Sequence, residues 1–407
     1  MEKAILVISD EDDCQELAEL ARSSGLKTAG NIFYRRGTPT PDYFVGKGKA
    51  EEAALLAATL NADVIIFNDE LSATQQRNLQ DFINTKIIDR TQLILDIFAQ
   101  RAKSKEGKVQ VELAQLNYLL PRLPGKGILL SRMGGGIGTR GPGEQKLETD
   151  RRRIKRRIAG LKEELRHLIG QRQSLRDSRK KFHLPLAALV GYTNAGKSTL
   201  FNALTESGAL VMDKLFATLD PTIRRFALPG GQRILFVDTV GFLHNLPHHL
   251  IEAFKATLEE IKGADILIHI LDISHNKAKE HSAAVFDVLR QLGSGTKPCI
   301  TVFNKIDKLE AKEKLHILLK GFPDGLAISA LKKEGLEELI KELIHRLPNI
   351  LQYVRLKIPI DKTSIINTIY QEGTVSAVKY KDKWIFVEAQ VPVNLKGRLD
   401  KEGFSLD

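Results

Sequence analysis

The chain is poor in cysteine and lacks long apolar runs, and each shortage excludes a class of protein. Two of its 407 residues are cysteines, Cys14 and Cys299, which are too few for a disulfide framework or a multi-cysteine metal site. No apolar run approaches the roughly 18 residues that a membrane-spanning helix needs. The apolar stretch at residues 4–8 meets acidic residues at once, so it is too short for a signal peptide. We therefore expect a cytoplasmic protein with two reduced thiols and no membrane span.

The positive charge of the chain is concentrated in one segment. The whole sequence carries a formal charge of +11, but residues 122–181 alone carry +12 and the remainder carries −1. The densest part of this segment is the run Arg151-Arg152-Arg153-Ile154-Lys155-Arg156-Arg157, and a glycine-rich stretch at residues 134–143 precedes it. Such a segment favours a polyanionic partner, although charge alone does not name one.

Composition and periodicity predict a multidomain α/β protein with four parts. Residues 1–90 alternate short apolar strands with amphipathic helices, which is typical of a small parallel α/β unit. Residues 91–181 show helical periodicity, and residues 182–348 show the strand–helix alternation of a doubly wound sheet. Residues 349–407 predict a small α+β domain, in which Trp384 and Tyr380 are expected to lie in the core. Its lysines Lys357, Lys379 and Lys381 could contact either RNA or solvent.

The helical region is expected to form an antiparallel hairpin. Apolar residues recur at steps of four and three from Ile154 to Leu168, which predicts a seam like that of a coiled coil. The glycine-rich stretch would then form the exposed tip. This hairpin could bind RNA through its basic residues, or it could be a coiled coil that docks a protein partner while its charges are solvated.

A phosphate-binding loop follows the first apolar strand of the third part. The motif GxxxxGK[ST] lies between a strand at residues 186–190 and a helical stretch at 199–204, which is the context that it requires. Lys197 would neutralise the β- and γ-phosphates, and the Ser198 hydroxyl would bind Mg²⁺. The nucleotide-binding residues of this loop are Gly191, Tyr192, Thr193, Asn194, Ala195, Gly196, Lys197 and Ser198.

A second motif, DxxG, ends the strand at residues 234–237. Asp238 can hold Mg²⁺, and the Gly241 N–H can contact the γ-phosphate and thereby sense hydrolysis. We therefore assign Lys197 and Gly241 as catalytic residues. The nucleotide contacts of this motif are Asp238, Thr239, Val240 and Gly241.

A third motif, NKxD, predicts that the base is guanine. The Asp307 carboxylate can accept hydrogen bonds from two guanine nitrogens, which adenine cannot match. A further base contact is expected after a short strand near residue 328. The residues of these two sites are Asn304, Lys305, Ile306 and Asp307, and Ile328, Ser329 and Ala330.

A switch segment lies between the first two motifs. It must present a hydroxyl to Mg²⁺ that withdraws after hydrolysis, and Thr218 and Thr222 both qualify. The predicted nucleotide contacts in this segment are Phe216, Ala217, Thr218, Leu219 and Asp220.

These motifs resemble those of the translation-factor-related P-loop GTPases. The sequences FATLDPT, DTVGF and VGKGK, together with the block from Gly134 to Ile154, resemble more closely the HflX family of ribosome-associated GTPases. The resemblance extends over nearly the whole chain. It implies a monomeric, Mg²⁺-dependent GTPase that binds the large ribosomal subunit, with residues 122–181 reaching ribosomal RNA, and that splits or rescues stalled or idle ribosomes. It also favours Thr218 over Thr222 as the Mg²⁺ ligand.

Two questions about function stay open at the level of the sequence. Phe242 stands where many GTPases carry a glutamine that orients the attacking water, which predicts slow intrinsic hydrolysis. A GTPase that acts on tRNA or on another RNA-processing assembly would use the same basic surface, so the sequence does not separate it from one that acts on the ribosome.

Overall fold

We describe a computed structural model of the chain over residues 1–35, 37–123, 142–181, 184–205, 215–216, 218–229, 233–243, 255–308, 319–347 and 351–406. The chain divides into two compact units. The first unit comprises Met1–Gly170, Met212–Asp220 and Asn245–Thr257. The second unit comprises Gln171–Val211, Pro221–His244 and Leu258–Asp407. The predicted glycine-rich tip lies largely outside the described residues.

The first unit begins with a parallel four-stranded sheet. Its strands are β1 (Lys3–Ile8), β2 (Lys27–Phe33), β3 (Val64–Phe67) and β4 (Lys86–Asp89), in the order β2-β1-β3-β4. The connecting helices are α1 (Cys14–Ser23), α2 (Lys47–Leu60) and α3 (Ala73–Ile83). The central strands β1 and β3 are buried almost throughout, as their continuous apolar runs require in a sheet that is covered on both faces.

Three further helices follow in the chain: α4 (Arg90–Arg101), α5 (Lys105–Leu119) and α6 (Pro142–Lys181), of which α6 belongs to the first unit as far as Gly170. The predicted seam of α6, which includes Ile158 and Leu161, packs against Val109 and Leu113 of α5. Two ion pairs fix the direction of this packing. Lys105 pairs with Glu164 at 3.0 Å and Arg157 pairs with Glu112 at 2.6 Å, so α5 and α6 run antiparallel.

The second unit contains a six-stranded sheet in the order β10-β9-β8-β5-β7-β6. Its strands are β5 (Leu186–Gly191), β6 (Thr222–Ala227), β7 (Arg233–Asp238), β8 (Ile266–Asp272), β9 (Cys299–Asn304) and β10 (Leu326–Ala327). Only the β6–β7 pair is antiparallel. The helices are α7 (Lys197–Thr205), α8 (Lys255–Gly263), α9 (Ala278–Gln291) and α10 (Leu336–Arg346). The carboxyl ends of β5, β7 and β9 therefore lie along one edge of this sheet.

The last part of the second unit is an antiparallel sheet with two helices. The elements follow the order β11 (Leu351–Pro359), α11 (Thr363–Glu372), β12 (Thr374–Lys381), β13 (Trp384–Pro392), α12 (Val393–Lys401) and β14 (Ser405–Leu406). The strand order is β12-β13-β11-β14. Side chains from both helices, including Ile369 and Leu395, pack against one face of the sheet.

The predicted fold class is confirmed, since the chain combines a parallel-sheet α/β domain, an α/β unit with a helical hairpin and a small α+β domain. One core prediction is wrong. Tyr380 is 71% exposed and Trp384 is 38% exposed, so neither lies in the core of the C-terminal part. The alternation along β13 places Ile385, Val387 and Ala389 in the core, and Trp384 is out of phase with them.

Among the described residues, no helix is both long enough and apolar enough to span a membrane. The 40-residue helix α6 is long, but it carries the basic run.

Candidate functional site

The phosphate-binding loop connects the buried strand β5 to helix α7. Two residues of this loop have positive φ, Asn194 at 59° and Gly196 at 95°. A Cβ at Gly196 would lie 2.2 Å from the Asn304 amide nitrogen, so only glycine fits there. The loop thus turns sharply into α7, whose first backbone N–H groups and positive dipole end can face an anion.

Lys197 is the buried cation of this loop. Its ammonium donates hydrogen bonds to the Tyr192 carbonyl at 2.6 Å and to the Gly191 carbonyl at 3.1 Å. Burial lowers the pKa of Lys197 to about 8, against the opposing effect of the Asp238 carboxylate. A phosphate placed beside this ammonium would supply the negative charge that its surroundings provide only in part.

The DxxG motif closes over the same loop. The Ser198 hydroxyl donates a hydrogen bond to the Asp238 carboxylate at 2.7 Å, so two of the three predicted Mg²⁺ ligands are adjacent. A Cβ on Gly241 would lie 3.0 Å from the Lys197 ammonium and 2.8 Å from the Thr193 Cα. The backbone of Gly241 therefore stands next to the loop and its lysine, and a side chain there would fill the space.

Phe242 joins the two motifs through its backbone. Its N–H donates to the Gly191 carbonyl at 3.1 Å, and its carbonyl accepts from the Thr193 N–H at 2.8 Å. Its ring is only 2% exposed. Phe242 thus has a structural role, and its side chain offers no donor or acceptor that could orient water.

The NKxD motif supports the phosphate-binding loop from the adjacent strand end. The Asn304 side chain donates to the Ala195 carbonyl at 2.8 Å and accepts from the Ala330 N–H at 3.0 Å. Lys305 donates to the Asn194 carbonyl at 2.8 Å. These hydrogen bonds join the phosphate-binding loop, the NKxD motif and the segment at Ala330, which are distant from one another in the sequence.

The Asp307 carboxylate lies at the outer end of this motif. It accepts a hydrogen bond from the Ser329 hydroxyl at 2.6 Å, and this bond lowers the pKa of Asp307. The Ser329 hydroxyl also accepts from the Lys332 N–H at 3.1 Å. An ionised carboxylate held in this way has acceptor oxygens that could receive hydrogen bonds from two adjacent N–H donors, such as those of a guanine edge. Ile328 and Ser329 are fully buried, and Ile306 bonds to the Ile328 carbonyl at 3.3 Å.

Sequence reasoning missed two contacts at this site. Asp272, the last residue of β8, pairs with Lys305 at 2.7 Å. Its position at the carboxyl end of a parallel strand next to β9 was the signal that could have found it. The Tyr192 ring stacks on His281 with ring centroids 3.7 Å apart, and no short sequence pattern indicates this contact between a loop and a helix.

The predicted switch segment packs within the first unit. The Phe216 ring meets Phe98 of α4 edge to face, with ring centroids 4.5 Å apart. The Asp220 carboxylate accepts from the Lys103 N–H at 2.9 Å, from the Ser104 N–H at 2.7 Å and from the Ser104 hydroxyl. Ser104 is the N-cap of α5, so Asp220 reinforces the start of that helix. Leu219 is buried, and Ala217 lies outside the described residues.

The fold and these contacts define the part of the second unit that contains the six-stranded sheet as the nucleotide-binding domain of a P-loop GTPase. Sequence models of four family regions match the chain in order: a GTP-binding GTPase N-terminal region at residues 11–99, a GTP-binding GTPase middle region at 101–179, a 50S ribosome-binding GTPase domain at 186–305 and an HflX C-terminal domain at 318–393. The chain belongs to the HflX family of GTPases.

Curated relatives agree with this assignment. The GTPase HflX of Caldanaerobacter subterraneus subsp. tengcongensis is 47% identical over 98% of this chain and 93% of its own length. The GTPase HflX of Escherichia coli K12 is 43% identical over 89% of this chain and 85% of its own length. Among solved structures, a GTP-binding protein from Sulfolobus solfataricus in complex with GDP is 28% identical, with a TM-score of 0.46 over 85% of this chain and 98% of that chain. Membership of this family of GTPases identifies the protein as a GTP hydrolase.

Proposed function

We propose that this GTPase binds the large ribosomal subunit and uses GTP binding and hydrolysis to split or rescue stalled or idle ribosomes in the cytoplasm. GTP would favour the conformation that binds the subunit, and hydrolysis would release it. Two things support this proposal: membership of a family whose GTPase region is described as 50S ribosome-binding, and the charge pattern of helix α6.

Uncompensated positive charge on α6 carries the proposal. Arg151, Arg153, Lys155 and Arg156 are exposed, and no ion-pair partner for them occurs among the described residues. By contrast, Arg152 pairs with Glu148 at 2.7 Å and Arg157 pairs with Glu112 at 2.6 Å. A helix that only stabilises a hairpin would pair its cations with carboxylates, as Arg152 and Arg157 do. Four exposed cations that have no ion-pair partner in the described part of the chain suit the closely spaced phosphates of a folded RNA.

We propose that Mg²⁺ is the cofactor of the nucleotide site. A hydroxyl and a carboxylate oxygen are the hard donors that Mg²⁺ prefers, and the adjacent Ser198 and Asp238 fit it. Thr218 would add a third oxygen when GTP orders the switch segment. Bound Mg²⁺ would neutralise charge on the β- and γ-phosphates. Lys197 would hold the same phosphates, and the Gly241 N–H would contact the γ-phosphate.

We also propose a division of labour along the chain. Residues 182–348 would bind and hydrolyse GTP, whereas residues 91–181 would form the RNA-binding hairpin. Residues 1–90 would support that hairpin, and residues 349–407 would form a separate domain. The contacts of α5 with α6 support the second assignment, and the separate apolar core of residues 354–404 supports the last.

Sedimentation with purified ribosomal subunits tests the proposal. We expect the full-length protein to sediment with large subunits in a non-hydrolysable GTP analogue and to be released in GDP. Replacing three exposed cations with glutamine should abolish co-sedimentation, and a control should remove the same charge at exposed positions elsewhere. The test substitutions are Arg151→Gln, Arg153→Gln and Arg156→Gln, and the control substitutions are Lys279→Gln, Lys341→Gln and Lys401→Gln.

The outcomes separate the alternatives. RNA docking should weaken steeply with salt because counterions are released, whereas apolar docking on a protein should not. Absence of co-sedimentation with every nucleotide would refute ribosome binding. Retention of tRNA instead would identify the other class of RNA target.

A further inference from the structure

The outer face of the C-terminal sheet carries two exposed aromatic side chains, Tyr353 and Trp384, and the partly exposed Phe386, between cations. The helices α11 and α12 cover the opposite face, where Val354, Leu356 and Ile358 of β11 are buried. Because side chains alternate along a strand, Tyr353, Arg355 and Lys357 point outward from β11. The same alternation brings Trp384, Phe386 and Glu388 of β13 to this outer face.

The strand register arranges these residues in rows. Phe386 stands directly opposite Lys357 on β11 and Lys379 on β12, so a lysine flanks its ring on each side. Trp384 stands opposite Lys381. The Lys357 ammonium also lies 4.4 Å from the centre of the Trp384 ring. Aromatic faces and cations therefore alternate over the two central strands of the sheet.

This face carries more cations than carboxylates. Glu388 is the one acidic residue that the strand register places on it within the described chain, and Glu388 pairs with Arg355 at 3.6 Å. The lysines at 357, 379 and 381 therefore keep a net positive field around the aromatic rings. A peptide-binding groove would be more apolar and closed than this face, on which Tyr353 is 51% exposed and Trp384 is 38% exposed.

We propose that this outer face binds single-stranded RNA, with bases stacked on Tyr353, Phe386 and Trp384 and phosphates held by Lys357, Lys379 and Lys381. A four-stranded antiparallel sheet with aromatic residues on its central strands is a known platform for stacking bases. Bases stack on exposed ring faces, and the phosphates of the RNA backbone bind flexible cations beside those rings. This surface lies on different residues from the cations of α6, so the inference does not depend on ribosome binding.

The chain contains a built-in reporter for this surface. Trp384 is its single tryptophan, so the intrinsic tryptophan fluorescence of the full-length protein comes from this face alone. A base stacked on the indole ring should quench this fluorescence. RNA that binds elsewhere on the protein should leave it unchanged.

The test is a titration of the full-length protein with single-stranded octauridylate, followed by tryptophan fluorescence. We expect saturable quenching, and much weaker quenching by the same strand in a duplex with octaadenylate. Tyr353→Ala should weaken the affinity about tenfold through the loss of one stacked base. Lys357→Gln and Lys379→Gln should each reduce the slope of log K against log salt by about 0.7.

Matched controls guard against indirect effects. Tyr370→Ala removes a tyrosine that is 58% exposed on α11, and Lys401→Gln removes a cation at the end of α12. Neither should change the titration. Absence of quenching, equal quenching by the duplex, or insensitivity to Tyr353→Ala would overturn the proposal. Quenching by polyglutamate but not by RNA would show instead that the face binds an acidic protein partner.

Discussion

The Ser198 hydroxyl donates a hydrogen bond to the Asp238 carboxylate at 2.7 Å, although the two residues are 40 positions apart. Ser198 lies in the first turn of helix α7, after the phosphate-binding loop, and Asp238 ends strand β7. Each of the two motifs contains one of these oxygen donors, and the fold brings the two donors together. A cation that replaces this hydrogen bond would be held by both side chains.

The first prediction concerns Ser198 and Mg²⁺. Ser198→Ala should lower the single-turnover GTP hydrolysis rate roughly 100-fold and raise the Mg²⁺ concentration for half-maximal rate, because one metal ligand is lost. Ser198→Thr keeps the hydroxyl, so its hydrolysis rate and Mg²⁺ dependence should stay close to those of the parent protein. Equal Mg²⁺ dependence in the parent and in Ser198→Ala would contradict the assignment.

The second prediction concerns base selectivity at Asp307. Asp307→Asn replaces an acceptor with an amide that also donates, so GTP affinity should fall by roughly 100-fold or more. Xanthosine triphosphate carries a carbonyl where guanine has its exocyclic amine, and its affinity should rise. Competition binding with GTP and xanthosine triphosphate measures this change of selectivity. Similar loss of both would show that the substitution only damages the fold.

The sequence predicted the GTPase domain well because its motifs depend on local geometry. The Gly191–Ser198 loop, the strand before it and the helix after it follow from one short pattern, and their arrangement is found in the structure. The pairing of Asp272 with Lys305 was not predictable in this way, since it joins the ends of two strands. Nor was the exposure of Trp384, because a tryptophan in a strand pattern is ordinarily expected in the core.

Some short or partly exposed elements have no clear sequence signal. Strand β2 has only one buried residue, Ile32, so it shows no clear alternation of burial. Strand β6 lies at the edge of its sheet, and none of its residues is fully buried. Helix α12 spans nine residues with Gly397 in its middle, and a segment of this kind resembles a tail. In each case the tertiary contacts, and not a local pattern, decide the structure.

The third prediction concerns the lowered pKa of Lys197. In the free protein this lysine loses its proton above about pH 8, and a bound phosphate should restore the proton. GDP binding at pH 8.5 should therefore take up more protons than GDP binding at pH 7. Calorimetry in two buffers of different ionisation enthalpy measures this uptake. Equal proton uptake at the two pH values would contradict the role of Lys197.

The fourth prediction concerns His269, which is fully buried on β8 beside Phe286, with ring centroids 4.9 Å apart. Neither ring nitrogen has a hydrogen-bond partner among the described residues, and burial lowers the pKa to about 4. As pH falls below 6.5, the unfolded chain therefore takes up a proton before the folded protein does. The free energy of unfolding should fall by about 3 kcal/mol between pH 6.5 and 4 on this account.

Two variants isolate this effect. His269→Leu should reduce the pH dependence of the unfolding free energy by most of that amount, as measured by urea denaturation at several pH values. The exposed His345 provides a matched control, and His345→Gln should leave the profile unchanged. A profile that keeps its full slope in His269→Leu would assign the acid sensitivity to other groups.

We propose that this GTPase completes its catalytic site on the large ribosomal subunit. The buried Phe242 cannot orient the attacking water, so that function must come from the partner or from a rearranged loop. The most direct test is the single-turnover rate of GTP hydrolysis with and without purified large subunits. We predict slow hydrolysis alone and an acceleration of roughly 100-fold or more with subunits, because a positioned acid–base group contributes at least that much. Comparable rates in the two conditions would contradict the account.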